Sequence, residues 1–140
     1  MAEEKTLCII KPDVVADKKQ GAVLQQVLDS GLTVLAMEQR ALSRREAEAF
    51  YAVHKQRPFF GELVDFMVSG PVVLVALQGN NAVARYRELI GATNPAQAAE
   101  GTIRKLYGKS IDSNAVHGSD SVENGQHETA FFFPGCRLDQ

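Results

Sequence analysis

Two continuous apolar runs constrain the fold of this chain most strongly. They are TLCII at 6–10 and PVVLVAL at 71–77, and neither contains a charged residue. Short runs without alternation predict strands that are buried on both faces, as in the middle of a sheet. The first run stops at Pro12, because proline cannot donate to a strand ladder. The sequence therefore predicts a sheet at the centre of the fold.

The segments around these runs change between helical and extended patterns. Strands are predicted at 32–42, where apolar residues tend to alternate, and at TAFFF, 129–133. A capping box of Ser43 and Glu46 begins a helix that we expect to extend to about Lys55. Further helices are predicted at 21–31, 61–70 and 80–91, with a short helix capped by Asp120 and a long loop at 92–116.

These elements fit one domain, residues 1–140, which is long enough to bury a core. The strands alternate with helices, and four strands in so short a chain favour a small split βαβ sandwich. Its four-stranded sheet is expected to carry helices on one face. The predicted fold class is therefore α+β.

Charge and composition limit the function classes. The net charge is −2 at pH 7, whereas a general nucleic-acid binder carries a basic excess. The N-terminal MAEEKTL does not match a signal peptide, and the longest apolar run is too short to cross a bilayer. We therefore expect a cytoplasmic protein with no membrane partner. Cys8 and Cys136 are isolated in the sequence and are interpreted as inert thiols.

The octet NAVHGSDS, 114–121, carries the strongest candidate for chemistry. Its His117 could be a nucleophile, a base or a metal ligand. A zinc site is disfavoured, because the histidines at 54, 117 and 127 form neither HxH nor HExxH. A nucleophilic histidine needs an acceptor that holds its other ring nitrogen, and Glu128 could be that acceptor.

Other polar side chains occur where a ligand could be held. Lys11 follows a buried strand, either to meet a ligand or as an edge lysine that reaches water. Tyr51, His54 and Lys55 share one face of a predicted helix, which is either functional or merely solvated. The residues expected to face the core from this helix are Phe50 and Val53.

Stacking and phosphate-binding groups are also present. In RPFF, either one phenylalanine is exposed as a stacking platform for a base or both lie in the core. Neither GxxxxGK[ST] nor GxGxxG occurs, so a phosphate site here must be built from side chains. The candidates for it are Arg85, Arg87, Thr93, Arg104 and Lys105.

Four blocks of the sequence together resemble the nucleoside diphosphate kinase family. They are TLCIIKPD, FYAVHKQRPFFGELVDFMVSGPVV, RELIGATNPAQAAEGTIR and NAVHGSDS, and the resemblance extends from Thr6 to about Phe133. It implies a ferredoxin-like βαββαβ sandwich, with a four-stranded antiparallel sheet and helices packed on it. It also implies γ-phosphoryl transfer from a nucleoside triphosphate to a nucleoside diphosphate, by a ping-pong mechanism through a phosphohistidine.

The resemblance implies roles for single residues. His117 would be the nucleophile, and Glu128 would hold its other nitrogen with the help of Ser119. Tyr51 would lie beside the reacting phosphate, and Lys11 would serve both the phosphates and the ribose 3′-hydroxyl. The remaining nucleotide contacts would come from Asn114 at the ribose, from His54, Arg87, Thr93 and Arg104 at the phosphates, and from Phe59 and Ile111 at the base. Mg²⁺ would bridge the phosphates, with Asp120 nearby through water.

Some positions depart from the family pattern. Lys105 and Leu106 replace a small residue and an aspartate, which puts loop packing and subunit contacts in question. Gly125 stands where good helix formers are preferred, so the helix before Glu128 is expected to be less rigid. Thr129 and the tail PGCRLDQ also differ. Related enzymes are homo-oligomers, and the sequence does not decide between a tetramer and a hexamer.

Two other function classes compete with the kinase. One is a regulatory module that binds nucleotides without catalysis, and the other is a sequence-tolerant binder of DNA or RNA. The first is disfavoured because the whole set of candidate catalytic residues is present, and the second because the net charge has the wrong sign.

Overall fold

The two apolar runs form neighbouring strands at the centre of a four-stranded antiparallel sheet. The computed structural model describes residues 3–138, so the first two residues and the end of the tail lie outside the described part of the chain. The strands are β1 (Glu4–Ile10), β2 (Thr33–Arg40), β3 (Val72–Gly79) and β4 (Val116–His117). They are arranged in the order β2-β3-β1-β4, with every neighbouring pair antiparallel. This is the ferredoxin-like arrangement that the resemblance implied.

The helices cover both faces of the sheet, so the expectation of helices on one face was wrong. Cys8 and Ile10 of β1 point into a core shared with the second and fifth helices, whereas Leu7 and Ile9 point into a core shared with the helix that ends near Met67. Because both faces of β1 and β3 are covered, their sequences need no alternation. The helices are α1 (Pro12–Ala16), α2 (Gln20–Asp29), α3 (Arg44–Phe50), α4 (Phe60–Met67), α5 (Ala82–Ile90), α6 (Ile103–Tyr107) and α7 (Val122–Phe132).

The capping box at the start of α3 is confirmed. The Ser43 hydroxyl accepts a hydrogen bond from the Glu46 amide, and the Glu46 carboxylate accepts one from the Ser43 amide, both at 3.0 Å. The helix ends at Phe50 rather than near Lys55, and a short 3-10 helix, Ala52–His54, follows it. This tighter turn leaves Val53 86% exposed, so its predicted core position was wrong.

The predicted last strand was also wrong, because TAFFF continues α7. This helix begins after Ser121, whose hydroxyl accepts from the Asn124 amide at 3.0 Å, and not after Asp120. A short apolar run cannot be assigned to a helix or a strand by periodicity alone, and here the preceding helix extends through it. The fourth strand is instead the two-residue β4, which pairs with Ile9 and Ile10.

The long loop at 92–116 is partly helical. It contains a 3-10 helix, Pro95–Gln97, as well as α6, which carries Arg104. A third 3-10 helix, Pro134–Leu138, follows α7. In the described part of the chain, each helix is too short or too polar to span a membrane.

Candidate active site

His117 lies on β4, and a carboxylate holds one of its ring nitrogens. Its Nε2 is 2.8 Å from Oε1 of Glu128, which projects from α7. The same oxygen accepts a hydrogen bond from the Ser119 hydroxyl at 2.7 Å, and that hydroxyl accepts from the Leu7 amide at 3.1 Å. Because a carboxylate only accepts, Nε2 carries the proton when the ring has one proton, and Nδ1 keeps its lone pair.

Neighbouring rings fix the backbone and the plane of His117. The Phe50 ring meets the imidazole edge to face, with 5.5 Å between the ring centroids. The Tyr86 hydroxyl donates to the His117 carbonyl at 3.0 Å. The residue after His117 must be a glycine, because a Cβ on Gly118 would lie 2.9 Å from the Tyr86 ring. Phe50 and Tyr86 are site residues that the sequence reasoning missed, because nothing in their spacing relates them to His117.

Tyr51 adds a buried hydroxyl close to Glu128. Burial raises the pKa of Tyr51, and the nearby charge of Glu128 raises it further. Among the side chains of residues 3–136 and the backbone of residues 3–138, no group makes a hydrogen bond with this hydroxyl. It is therefore a protonated donor, available to an acceptor brought by a ligand.

A cleft of about 530 Å³ gathers several of the predicted nucleotide-binding residues. Phe59 and Ile111 are 45% and 56% exposed there, so both present apolar surface to an incoming ring. The centroids of the His54 and Phe59 rings are 5.5 Å apart. The residues lining the cleft are Lys11, Phe59, Glu62, Leu63, Phe66, Thr93, Ile111 and Asp112. The sequence reasoning did not identify Glu62, Leu63, Phe66 or Asp112.

A hydrogen-bonded chain connects this cleft to the strand that carries the histidine. Lys11 Nζ donates to Asn114 Oδ1 at 2.8 Å, and Asn114 Nδ2 donates to the Thr93 carbonyl at 3.1 Å. The backbone bends at Ala115, where φ is 77°, and its carbonyl accepts from the Lys11 amide at 2.8 Å. Burial lowers the pKa of Lys11 from 10.5 to about 8, and the positive charge of Arg104 contributes to the shift.

Two arginines continue the positive charge. Arg104 is buried and donates to the carbonyls of Val116 at 2.9 Å and Gly91 at 3.1 Å. Burial lowers the pKa of Arg104, and the charge of Arg87 on the exposed side of α5 lowers it further. In the described structure, neither arginine nor Lys11 has a carboxylate within ion-pair distance. Their charges are therefore available to an anion.

The remaining candidate cations make other contacts or lie on the surface. Arg85 donates to the Ser30 carbonyl at 2.7 Å and to the Asn80 carbonyl at 3.1 Å, and so it joins α5 to the end of α2. Lys55 and Lys105 are exposed. Of the phosphate-binding candidates, Arg85 is thus engaged with backbone carbonyls of the protein itself.

The acidic side chains near His117 are compatible with a metal ion that takes most of its ligands from a substrate. Within residues 3–138, no group of three or more His, Cys, Asp or Glu side chains could hold an ion. Asp120 is exposed next to α7, and its Oδ1 accepts from Asn124 Nδ2 at 2.5 Å. Mg²⁺ typically binds one or two carboxylates together with substrate phosphates, so this donor set is compatible with Mg²⁺.

A histidine held by a carboxylate, buried cations and a cleft with apolar walls are together the features expected of a phosphotransferase that acts on nucleotides. The sequence matches the nucleoside diphosphate kinase family model over residues 4–138. It is 58% identical over 130 residues to the nucleoside diphosphate kinase of Phenylobacterium zucineum, covering 93% of this chain and 94% of that protein. It is 61% identical over 130 residues to the enzyme of Chlamydia muridarum, covering 93% and 92%.

Solved structures agree with these sequence comparisons. The crystal structure of the Aquifex aeolicus nucleoside diphosphate kinase matches with a TM-score of 0.92 and 41% identity, covering 94% of this chain and 96% of that one. The chain therefore belongs to the nucleoside diphosphate kinase family. It is an enzyme with nucleoside diphosphate kinase activity, and its substrates are nucleotides. The hypothesis of a non-catalytic module is thereby rejected.

The buried Lys11 gives a prediction for the pH dependence of stability. Its pKa is lower in the folded protein, about 8, than its ordinary value of 10.5. Between pH 8 and 10.5, Lys11 therefore binds more protons in the unfolded chain than in the folded protein. Burial of the charged Lys11 lowers the free energy of unfolding below pH 8, and this loss disappears as the pH rises to 10.5. One pKa unit corresponds to about 1.4 kcal/mol. Between pH 8 and 10.5, the free energy of unfolding of wild type should therefore rise by about 3 kcal/mol relative to that of Lys11→Met.

The measurement is urea unfolding of both proteins at several pH values. Any constant effect of the lost Asn114 contact drops out, because only the change of the difference with pH is compared. A difference in the free energy of unfolding that stays constant from pH 7 to 10.5 would contradict the lowered pKa.

Proposed function

We propose that the kinase reaction proceeds by a ping-pong mechanism with Nδ1 of His117 as the nucleophile. Nδ1 attacks the γ-phosphorus of a nucleoside triphosphate, the bond to the β-phosphate oxygen breaks, and the nucleoside diphosphate leaves. A terminal phosphate oxygen of a second nucleoside diphosphate then takes the phosphoryl group from the histidine. The observation that carries this proposal is the 2.8 Å contact between His117 Nε2 and Glu128, which leaves Nδ1 as the basic nitrogen.

Glu128 and Ser119 are proposed to orient and stabilise the imidazole. Phosphorylation at Nδ1 makes the ring positive while Nε2 keeps its proton, and the carboxylate stabilises that charge. The Ser119 hydroxyl holds the accepting oxygen of Glu128 from the other side at 2.7 Å. Fixed geometry matters here, because phosphoryl transfer depends mainly on positioning and on electrostatic stabilisation.

The phosphates are proposed to bind between the cations and the donors beside His117. Arg87 and Arg104 neutralise the negative oxygens, since neither has a carboxylate partner within residues 3–138. The Tyr51 hydroxyl is buried and has no hydrogen-bond partner among the described groups, and it donates to the transferred group. The other proposed phosphate ligands are Lys11, His54 and Thr93, and Lys11 together with Asn114 contacts the ribose 3′-hydroxyl.

The base is proposed to lie between Phe59 and Ile111. Both are exposed on the cleft, and contact with the faces of a ring does not distinguish one base from another. A ribose that is recognised at its 3′-hydroxyl need not be distinguished from deoxyribose. We therefore propose a broad tolerance for base and sugar.

Mg²⁺ is the proposed cofactor. When bound, it neutralises charge on the phosphate oxygens. Asp120 would hold it through water, and the phosphates of the nucleotide would supply its other ligands. The protein groups described above bind and orient the nucleotide around it.

We also propose that residues 1–140 form a single domain and that the enzyme is a homo-oligomer, either a tetramer or a hexamer. Met37 on the outer strand β2 is 52% exposed and Leu106 on α6 is 55% exposed, so both offer apolar surface to another copy. Light scattering by the purified protein distinguishes the two assemblies. The cytoplasmic location stays a prediction from the sequence.

The proposed intermediate predicts a label on His117. Incubation with γ-labelled ATP and Mg²⁺ should label the protein, and GDP added afterwards should remove the label. The label should also be lost in acid, because the phosphoramidate bond of phosphohistidine hydrolyses there. His127→Asn is the matched control for His117→Asn, since His127 is an exposed histidine one residue before Glu128. A label that survives acid, resists GDP or remains in His117→Asn would contradict the mechanism.

The proposed stacking predicts a uniform effect of Phe59→Ala. Loss of the ring should weaken the binding of ADP, GDP, CDP and dTDP by similar amounts, about 1–3 kcal/mol each. Calorimetric titration of the four nucleotides measures this. Phe131→Ala is a suitable control, because Phe131 is also exposed but packs on Phe50 and Phe132. A loss confined to one base would indicate recognition of base edges instead.

A further inference from the structure

The outer edge of β1 supports the segment that connects His117 to Glu128. Strand β4 pairs only with Ile9 and Ile10, at one end of β1. Beyond it, the Leu7 amide donates to the Ser119 hydroxyl instead of a strand carbonyl. One step further along β1, Gly125 of α7 lies against the carbonyl of Lys5. The same strand edge therefore contacts β4, Ser119 and α7 in succession.

The contact at Gly125 leaves no space for a side chain. A Cβ placed on Gly125 would lie 2.0 Å from Lys5 O and 3.1 Å from Lys5 C. These atoms belong to the backbone of a central strand, whose side chains from Lys5 to Ile10 are buried. The strand cannot move without disturbing both cores, so any added atom would displace α7.

A buried hydroxyl fixes the same turn of α7. Thr129 Oγ1 donates to the Gly125 carbonyl at 2.8 Å, and Thr129 is only 1% exposed. A threonine that bonds back to the preceding turn satisfies its own hydroxyl in the core. Gly125 and Thr129, the two departures from the family pattern in this helix, are therefore in direct contact with each other.

We propose that Gly125 is a positioning residue for the reacting histidine. The close approach of Gly125 to Lys5 sets how deeply α7 lies on β1, and this depth sets the distance from Glu128 to His117. Glu128 follows Gly125 by less than one helical turn, so a displacement at one is transmitted to the other. The inference rests on the proposed roles of His117 and Glu128.

The geometry around Glu128 tolerates little displacement. One oxygen, Oε1, makes contacts of 2.8 Å with His117 Nε2 and 2.7 Å with the Ser119 hydroxyl. Both partners are held by β1, through strand pairing at Ile9 and through the Leu7 amide. A shift of α7 away from β1 therefore lengthens both contacts together. The ring proton of His117 is then no longer held on Nε2 and can also occupy Nδ1.

The test compares Gly125→Ala with Gly21→Ala. Both glycines lie in helices, but a Cβ on Gly21 would meet no described atom within 4 Å. Alanine is the better helix former at both sites, so helix propensity alone predicts no loss in either variant. The measurements are the single-turnover rate of labelling at His117, the Kd of ADP, and the His117 tautomer from long-range ¹H–¹⁵N NMR spectra.

We expect Gly125→Ala to label His117 about ten- to a hundredfold more slowly, as for a displacement on the order of 1 Å. Its Kd for ADP should be unchanged, and the imidazole should become a mixture of tautomers instead of the Nε2–H form. Gly21→Ala should match wild type in all three. A folded Gly125→Ala with the wild-type rate and tautomer overturns the inference.

Thr129→Val tests the inference should Gly125→Ala not fold. It removes the hydroxyl that holds the Gly125 carbonyl and adds no bulk beside Lys5. Slower labelling and a mixture of tautomers, both less marked than expected for Gly125→Ala, support the positioning role. A wild-type rate and tautomer overturn it. Failure of the mechanism itself is recognised separately, because wild type would then carry no label on His117.

Discussion

The hydrogen bond between Glu128 and His117 is the interaction on which the site depends. Its two partners come from different elements, a two-residue strand and the following helix. Strand β4 alone would hold a side chain weakly, since it pairs with β1 through two residues. Both are fixed by the buried strand β1, which lies between two hydrophobic cores. One of the two apolar runs that most constrain the fold is thus also the support of the pair that we propose to be catalytic.

The sequence predicted those parts of the fold that depend on local patterns. The two apolar runs became the central strands, and the capping box of Ser43 and Glu46 formed as expected. Predictions failed where tertiary packing decides. TAFFF is compatible with a strand or a buried helix, and its rings pack on Phe50 as part of α7.

The site was predictable to a similar extent. The pairing of His117 with Glu128 was stated correctly, but spacing alone left it speculative, because their approach requires α7 to fold back along β1. The resemblance to a family supplied what the spacing lacked. It could not supply Phe50, Tyr86 or the acidic lining of the cleft, whose contacts depend on the packing of distant segments.

Glycine shows most clearly why local rules are insufficient. Gly21 and Gly125 both lie in helices, where propensity scales treat glycine as a weakness. The first faces open space, whereas the second lies where a Cβ would be 2.0 Å from a backbone oxygen. The sequence suggested that Gly125 loosens α7. That expectation stays a prediction, and the structure adds that α7 lies against β1 at the point where Gly125 has no Cβ.

The cations of the site are held in an arrangement that costs stability until an anion arrives. Burial and the charge of Arg104 lower the pKa of Lys11, and burial and the charge of Arg87 lower that of Arg104. Like charges in a buried place repel each other and lose hydration, so their burial costs stability, although Lys11 and Arg104 also donate to Asn114 and to backbone carbonyls. A bound phosphate would offset both the repulsion and the lost hydration, because it is negatively charged and accepts hydrogen bonds. In the proposed binding mode the phosphates of the substrate relieve this cost, so the arrangement favours the bound state at the expense of stability.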